Sequence, residues 1–159
     1  MVEKLSSSAQ RVQNALKSRG FDCQVVEMPQ TTRTATDAAG AVGCSVGQIV
    51  KSLIFKGKQT EKPILVATSG ANRVNEEKLA KLLGEPLGKA DPEFVRQKTG
   101  FAIGGVPPTG HTGPLEVYID EDLMQFKEIW AAAGTPRAVF KLTPRDLQKL
   151  TNGKVIAVK

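Results

Sequence analysis

The sequence predicts a single α/β domain, of the α+β type, in which a mixed and partly antiparallel sheet is flanked by short helices. Apolar runs of strand length alternate with amphipathic runs of helix length, and turn or capping residues separate most of them. A chain of 159 residues suits one compact domain, and no internal repeat, linker or low-complexity segment divides residues 1–159. The sequence lacks the regular βαβ spacing of a dinucleotide-binding fold and a Walker-type phosphate loop.

A helix and a strand are predicted first. Residues 6–19 place apolar side chains on one helical face, and the serines at their start can cap the helix, which Gly20 ends. Residues 23–28 form an apolar run of strand length that stops at Pro29. The chain therefore turns back on itself within its first 30 residues or so.

The next segment predicts two short helical elements followed by a hairpin. Residues 36–42 begin with Thr-Asp, which can cap a helix, and Gly43 ends that helix. Residues 45–50 predict one further helical turn. The apolar runs 52–55 and 63–68 are separated by a polar turn, so they predict the two strands of a β-hairpin.

Two helices and a strand follow the hairpin. Residues 75–83 carry their leucines on one side, which is typical of an amphipathic helix. Residues 91–98 begin with an aspartate that can cap a helix, and Pro92 occupies the first helical position. Residues 115–119 form an apolar run and predict a strand.

The last third continues the alternation. Residues 126–132 fit either a strand or a helix, because their isoleucine, tryptophan and alanines occur in both. Residues 138–142 predict a strand, and residues 143–150 predict a helix with a Thr-Pro start. Residues 154–158 predict the final strand.

Charge and hydropathy restrict the class of protein. Lysine and arginine total 22 against 16 acidic residues, a formal net charge of +6 that fits a polyanionic partner such as nucleic acid. No apolar run is long enough to cross a bilayer, and the first residues lack the apolar core of a signal peptide. We therefore expect a cytoplasmic protein without a membrane partner.

Neither a metal nor an organic cofactor is expected. The two cysteines, Cys23 and Cys44, lie far apart in the sequence, and His111 is the single histidine. These residues do not form the ligand set of a zinc site, and in a reducing cytosol the cysteines are expected to be free thiols. A Ser-His-Asp or Cys-His catalytic arrangement would have to use His111, and no paired nucleophile marks one.

The stretch GGVPPTGHTG, residues 104–113, is the most informative segment. Its four glycines and two adjacent prolines exclude a helix or a central strand. Glycines permit positive φ and close approach of a ligand to the main chain. The stretch therefore predicts a shaped loop that could seat an ester carbonyl or a nucleotide sugar, and an ordinary structural turn is the alternative.

Lys51 is the second candidate functional residue. It lies between the predicted helical turn and the apolar strand 52–55, where a cation could reach a phosphate or a terminal carboxyl group. The alternative is a solvated lysine, or one that stabilises a helix C-terminus. The residues alone leave both interpretations open.

Four segments, taken in order, resemble one known family. They are ATDAA at 35–39 followed by Gly43, KSL at 51–53, GGVPP at 104–108 and LTPRDL at 142–147. Together they are similar to the YbaK/ProX-type aminoacyl-tRNA deacylases, free-standing relatives of the editing domain of bacterial prolyl-tRNA synthetase. The resemblance extends from about residue 21 to residue 158. It implies a YbaK-like fold and one editing domain over residues 1–159.

The resemblance implies a function. Family members hydrolyse the ester between a wrong, small amino acid and the 3′-terminal adenosine of tRNA. The partner would be the acceptor end of an aminoacyl-tRNA, with an aminoacyl-tRNA synthetase as a further candidate partner. Lys51 would engage the adenosine or its phosphate, and the loop containing Gly104 and Gly105 would hold and polarise the carbonyl. In such enzymes the 2′-hydroxyl of the tRNA is thought to align the attacking water.

The substrate pocket is expected to combine the loop with residues near the first strand and the lysine. Ser52 follows the lysine and would touch the adenosine. The predicted substrate-binding residues are Met28, Thr31, Thr32, Thr34, Ser52, Ile54, Val106, Pro107 and Pro108. The threonine-rich stretch 31–34 could equally be a capped surface turn.

Two other functions stay open at this stage. One is a tRNA-binding or nucleic-acid-binding module of the same fold that lacks catalysis, which the net charge would also serve. The other is an enzyme that acts on another small ester or amide with His111 as its base. We expect His111 to lie at the surface without a catalytic role, because chemistry assisted by the tRNA does not need it.

Overall fold

The computed structural model describes residues 5–159, which form one eight-stranded sheet with five α-helices. The strands are β1 (Val25–Glu27), β2 (Ile49–Gly57), β3 (Pro63–Ser69), β4 (Leu87–Lys89), β5 (Glu116–Asp120), β6 (Ile129–Ala132), β7 (Ala138–Leu142) and β8 (Lys154–Ile156). The helices are α1 (Ser7–Ser18), α2 (Ala35–Val42), α3 (Glu76–Leu83), α4 (Pro92–Thr99) and α5 (Pro144–Thr151). Two short 3₁₀ helices cover Val46–Gln48 and Glu121–Gln125.

The sheet is mixed, as the sequence predicts. Its strand order is β1-β7-β6-β2-β3-β5-β8, and β4 pairs with the free part of β2. The pairs β1/β7, β7/β6, β2/β3 and β2/β4 are antiparallel, whereas β6/β2, β3/β5 and β5/β8 are parallel. The predicted α+β class and the predicted hairpin are therefore confirmed.

Strand β2 has an interrupted partner on one side. Along this side β6 pairs with Ile49 and Val50, and β4 pairs with residues 55–57. Residues 51–54 lie between these two short strands and pair there with neither, while their other side pairs continuously with β3. The result is a gap in the sheet about four residues long, or roughly 13 Å at the usual rise of a strand.

Helices cover both faces of the sheet. One face packs against α1, α4 and α5 through a large aliphatic cluster that includes Leu16, Val95 and Leu147. On the other face, Leu79 of α3 packs against β3, and Ala38 of α2 belongs to a cluster with β2 and β6. No helix among residues 5–159 combines the length and the apolar character needed to cross a membrane.

Local signals account for where most helices begin and end. Side chains at the N-caps of four helices each accept a hydrogen bond from the main chain three residues later: Thr34, Asn75, Asp91 and Thr143. The helix predicted at 36–42 begins at Ala35, one residue earlier, because Thr34 provides the cap.

Four elements differ from the prediction. The ambiguous segment 126–132 forms a strand only from Ile129 onward. The helical turn predicted at 45–50 is limited to Val46–Gln48, because the two residues that follow pair with β6. The predicted strand 23–28 is shortened to β1, and β4 was not predicted, since its three residues form a strand through pairing with β2.

Candidate functional site

The gap in the sheet opens into a cavity of about 740 Å³. Its walls come from α2 and the segment before it, from β2, β4 and β6, and from the glycine-proline loop. The lining residues are Thr32, Arg33, Thr34, Ala35, Thr36, Ala38, Ile49, Val50, Lys51, Ser52, Leu53, Ile54, Phe55, Glu76, Lys89, Ala90, Val95, Ile103, Gly104, Val106, Trp130, Ala131, Ala132 and Val139. Seven predicted site residues therefore meet in one place: Thr32, Thr34, Lys51, Ser52, Ile54, Gly104 and Val106.

Main-chain groups of β2 face into this gap. The Gly70 N–H donates to the Ile49 carbonyl at 2.7 Å, so the odd-numbered residues of β2 turn their main-chain polar groups toward β3. The Lys58 N–H donates to the Pro86 carbonyl at 2.9 Å, so the even-numbered residues face the opposite side. Ser52 consequently directs both its N–H and its C=O into the gap, where no strand pairs with it.

The side chain of Ser52 adds a third polar group. Its Oγ is buried and has no hydrogen-bond partner within residues 5–159. A buried hydroxyl without a partner costs about 1–3 kcal/mol. A donor, an acceptor and a hydroxyl on one residue therefore stand ready for a ligand in the cavity.

Lys51 is held at the cavity wall by a main-chain acceptor. Its Nζ donates to the carbonyl oxygen of Asn72 at 2.9 Å. Burial in the cavity lowers the pKa of Lys51 from its usual 10.5, the nearby Arg73 lowers it further, and Asp120 opposes both effects. An ammonium has three N–H donors, so this geometry leaves donors available for a ligand.

The segment that carries Asn72 is tied to the end of β5. The Asn72 Nδ2 donates to Asp120 Oδ2 at 2.8 Å and to Asp122 Oδ2 at 2.7 Å. Asp120 is 1% exposed and also accepts from the N–H of Ser69 at 3.0 Å. The sequence analysis missed these three polar residues. An aspartate directly after an apolar strand is the signal that could have indicated Asp120.

The glycine-proline loop contributes Gly104 to the cavity wall. Gly104 has φ +97°, and a Cβ there would lie 3.0 Å from the Arg33 side chain, which also lines the cavity. Gly105 faces the turn after β6, where a Cβ would lie 2.8 Å from the Thr135 nitrogen, and its carbonyl accepts from the Gly134 N–H at 2.8 Å. The two glycines thus have different tasks, since one borders the cavity and the other seats the loop.

Five predicted contact residues do not line the cavity: Met28, Thr31, Gly105, Pro107 and Pro108. Met28 extends β1 by donating its N–H to the Arg137 carbonyl, and the Thr31 hydroxyl donates to the Pro136 carbonyl. Pro108 borders a separate surface pocket beside α1. This geometry gives no support to a substrate contact for these five residues, because their positions are set by packing on the far side of the loop or by the β7 turn.

His111 differs from the expected surface residue. Its ring is half-buried, with Nε2 2.7 Å from the Pro107 carbonyl and an edge-on contact with Phe101 at 6.5 Å between ring centroids. Burial lowers its pKa from 6.5. His111 does not line the cavity, so it braces the loop instead of facing a substrate there.

Arg11 of α1 holds the two ends of the loop together. Its guanidinium donates to the Gly110 carbonyl at 2.9 Å and to the Gly100 carbonyl at 3.3 Å. Its Cζ also lies 4.4 Å from the centroid of the Phe101 ring, a cation–π distance. A single side chain therefore fixes the width of the loop.

The described residues offer no cluster of three or more His, Cys, Asp and Glu side chains that could hold a metal ion. Cys23 and Cys44 are free thiols. The polar groups that face the cavity are consequently main-chain groups, hydroxyls and cations, which suit a ligand with phosphate, ester and hydroxyl groups.

Comparisons with known proteins agree with this geometry. The model of the aminoacyl-tRNA editing domain matches residues 29–150. A protein of Bacillus subtilis (strain 168), uncharacterized YwhH, is 32% identical over 131 residues, covering 82% of this chain and 83% of its own length. The proline–tRNA ligase of Thermoanaerobacter sp. (strain X514) is 31% identical over 104 residues, and the match spans 64% of this chain but only 18% of the ligase.

A solved structure is similar over nearly the whole chain. The crystal structure of a candidate trans-editing enzyme for prolyl-tRNA synthetase has a TM-score of 0.93 and 55% identity. It covers 98% of this chain and 99% of its own. Because the family model matches well over half of the residues and includes both Lys51 and the glycine-proline loop, the chain belongs to the aminoacyl-tRNA editing domain family.

Proposed function

We propose that this protein is a free-standing deacylase that hydrolyses the ester of a mischarged aminoacyl-tRNA carrying a small amino acid. The observation that carries the proposal is the meeting of Lys51, Ser52 and Gly104 on one cavity wall system, although they lie more than 50 residues apart in sequence. Family membership supports an editing role, and the cavity contains the groups that an ester of a nucleotide needs.

Lys51 is suited to the nucleotide part of the substrate. Its ammonium keeps free N–H donors after the bond to Asn72, and a charge-assisted hydrogen bond to a phosphate oxygen is stronger than a neutral one. Ser52 presents a donor and two acceptors beside it, which can bind the terminal adenosine. The acceptor end of the tRNA would therefore enter over β2.

The loop is suited to the ester. Main-chain N–H groups near Gly104 would polarise the carbonyl, and a donor aimed at a developing oxyanion is worth a factor of about 10²–10³ in rate. Water adds to the carbonyl carbon, the bond to the ribose oxygen breaks, and that oxygen takes up a proton to restore the tRNA hydroxyl. Alignment of the water by the 2′-hydroxyl supplies positioning, which can replace a strong protein base.

The apolar part of the cavity would receive the amino-acid side chain. Ile54, Val95, Val106 and Val139 line it without a charged group among them. One methylene changes binding in such a pocket by only about 1–3 kcal/mol, so exclusion by size is the plausible sieve. These walls support a small acyl group over a large or charged one.

The rest of the proposal concerns partners and place. A net charge of +6 favours approach of the tRNA backbone, and the similarity to part of a proline–tRNA ligase supports a synthetase as a further partner. Such a protein would work in the cytoplasm. An ester hydrolase using His111 as its base is not supported, since that ring lies outside the cavity lining.

A deacylation screen tests the proposal. The protein would be mixed with tRNAs charged with Ala, Ser, Thr, Cys or Pro, on cognate and mismatched tRNAs, and release of the labelled amino acid would be followed. We expect release of one or two small amino acids by the wild type, and loss of that release in Lys51→Ala. Tight tRNA binding without release from any substrate would favour the non-catalytic binding module instead.

A further inference from the structure

We propose that Asn72 is a positioning residue that sets the location of the Lys51 ammonium in the cavity. The inference rests on the proposed function of Lys51, and it adds a residue that neither the sequence motifs nor the loop includes. Asn72 lies on the turn after β3 and does not line the cavity itself.

The first step concerns the main chain of Asn72. Its carbonyl oxygen accepts from Lys51 Nζ at 2.9 Å, and it is the acceptor that holds this ammonium within the described part of the chain. A lysine side chain has several rotatable bonds and loses about 1.5–2 kcal/mol of conformational freedom when it is held in place. The position of the ammonium therefore depends on the position of this one carbonyl.

The second step concerns the side chain of Asn72. Its Nδ2 carries two N–H groups, and the structure gives it two acceptors, Asp120 Oδ2 at 2.8 Å and Asp122 Oδ2 at 2.7 Å. Both carboxylates belong to the end of β5 and the turn that follows. The amide thus ties the turn after β3 to the end of the neighbouring strand.

The third step is that the two carboxylates are themselves fixed. Asp120 is 1% exposed, accepts from the Ser69 N–H at 3.0 Å and from the Asp122 N–H at 2.9 Å. Asp122 lies 3.1 Å from the Lys159 ammonium. The bond from Asn72 and the charge of Lys159 lower the pKa of Asp122, so this group stays ionised and remains an acceptor.

Asparagine is the residue that this arrangement requires. An aspartate at position 72 has no donor and would place a third carboxylate against the other two. An alanine leaves both carboxylates without their partner and frees the turn. In either case the carbonyl that holds Lys51 loses its anchor, whereas Lys51 itself and the loop are unchanged.

The experiment is a double-mutant cycle measured as kcat/KM for deacylation of the best substrate of the screen. We expect Asn72→Ala to lower kcat/KM about 10- to 100-fold, mainly in kcat, since a displacement of about 1 Å can cost that much. In the Lys51→Ala background the same substitution should change the rate by less than about twofold, because the residue acts through Lys51. Asn72→Asp should be at least as damaging as Asn72→Ala.

A matched control separates positioning from stability. Thr143→Ala removes the N-cap of α5, a side chain outside the cavity lining, and should cost about 1 kcal/mol. Its melting temperature is therefore lowered while its kcat should stay within about twofold of wild type. Equal rate losses in Thr143→Ala and Asn72→Ala, or fully additive losses in the cycle, would overturn the proposal.

A second readout does not depend on catalysis. Acylation of lysines by acetic anhydride, followed by mass spectrometry, reports the reactivity of Lys51 relative to the exposed Lys154 in the same molecule. Loss of the carbonyl acceptor frees the amine and favours its neutral form, so Asn72→Ala should raise this ratio at least about threefold. An unchanged ratio overturns the positioning role, whereas a raised ratio in a protein that deacylates nothing supports the contact and removes only the proposed function.

Discussion

The Nε2 of His111 lies 2.7 Å from the carbonyl oxygen of Pro107, and this contact braces the glycine-proline loop from outside the cavity lining. The ring also packs edge-on against Phe101. The single histidine of the chain therefore supports the loop that borders the cavity, and the proposed chemistry does not pass through it.

His111→Ala should consequently reduce deacylation only modestly. Removal of one brace lets the loop shift, and we expect kcat to fall less than about tenfold, while Lys51→Ala should lose a factor of about 10²–10³. Single-turnover rates of both variants check this. A complete loss of activity in His111→Ala, with the fold intact by circular dichroism, would instead indicate a general base.

The stability of the protein should fall in mild acid because of the same residue. Burial lowers the pKa of His111 from 6.5, so below about pH 6.5 the unfolded chain binds a proton that the folded chain does not. Stability is therefore complete above this pH and decreases as the pH falls. Urea unfolding at pH 7.5 and pH 5.5 should show a smaller difference for His111→Gln than for wild type, and an equal difference would contradict the assignment.

Lys51→Ala should abolish activity and leave the fold in place. The side chain sits at a cavity wall and contributes a single hydrogen bond, so we expect a small change in melting temperature. Lys154→Ala is the control, because Lys154 is an exposed lysine of another strand, β8, outside the cavity lining. Normal hydrolysis by Lys51→Ala would refute the proposed mechanism.

Gly105→Ala should impair both stability and activity, in contrast to Gly113→Ala. A Cβ at Gly105 would lie 2.8 Å from the Thr135 nitrogen, whereas at Gly113 the nearest atom is 4.0 Å away. Such overpacking against main chain typically costs about 1–3 kcal/mol. Thermal melts and deacylation rates of the two variants test whether the seat of the loop is as rigid as its contacts indicate.

A substrate without the 2′-hydroxyl at its terminal adenosine should resist hydrolysis. If the tRNA aligns the water, the loss should match that of Lys51→Ala, about 10² or more, while binding of the tRNA is retained. Competition between the deoxy and the normal substrate measures that binding. Undiminished hydrolysis of the deoxy substrate would place the alignment of water in the protein.

Local sequence signals predicted much of the fold. The caps at Asp91 and Thr143 and the glycine that ends α2 act over three or four residues, so they can be recognised without the tertiary structure. The hairpin of β2 and β3 follows in the same way from two apolar runs and a polar turn. Lys51, Ser52, Gly104 and Val106 were found because the family motifs contain them.

Long-range pairing explains what the sequence analysis missed. Strand β4 is three residues long and exists through its pairing with β2, and residues 129–132 become a strand because β2 and β7 lie on either side. Five predicted contact residues fall outside the cavity lining, since proximity along the chain does not fix which side of a loop faces a cavity.

By itself, the sequence determined the fold class, most of the elements and the motifs that identify the family, because caps, turns and apolar periodicity are local properties. The tertiary structure decided the gap between β4 and β6, the clamp of Asn72 between two aspartates, and the place of His111 behind the loop. Each of these depends on main-chain groups of segments that are distant in sequence, and no pattern of side chains announces where such groups will meet.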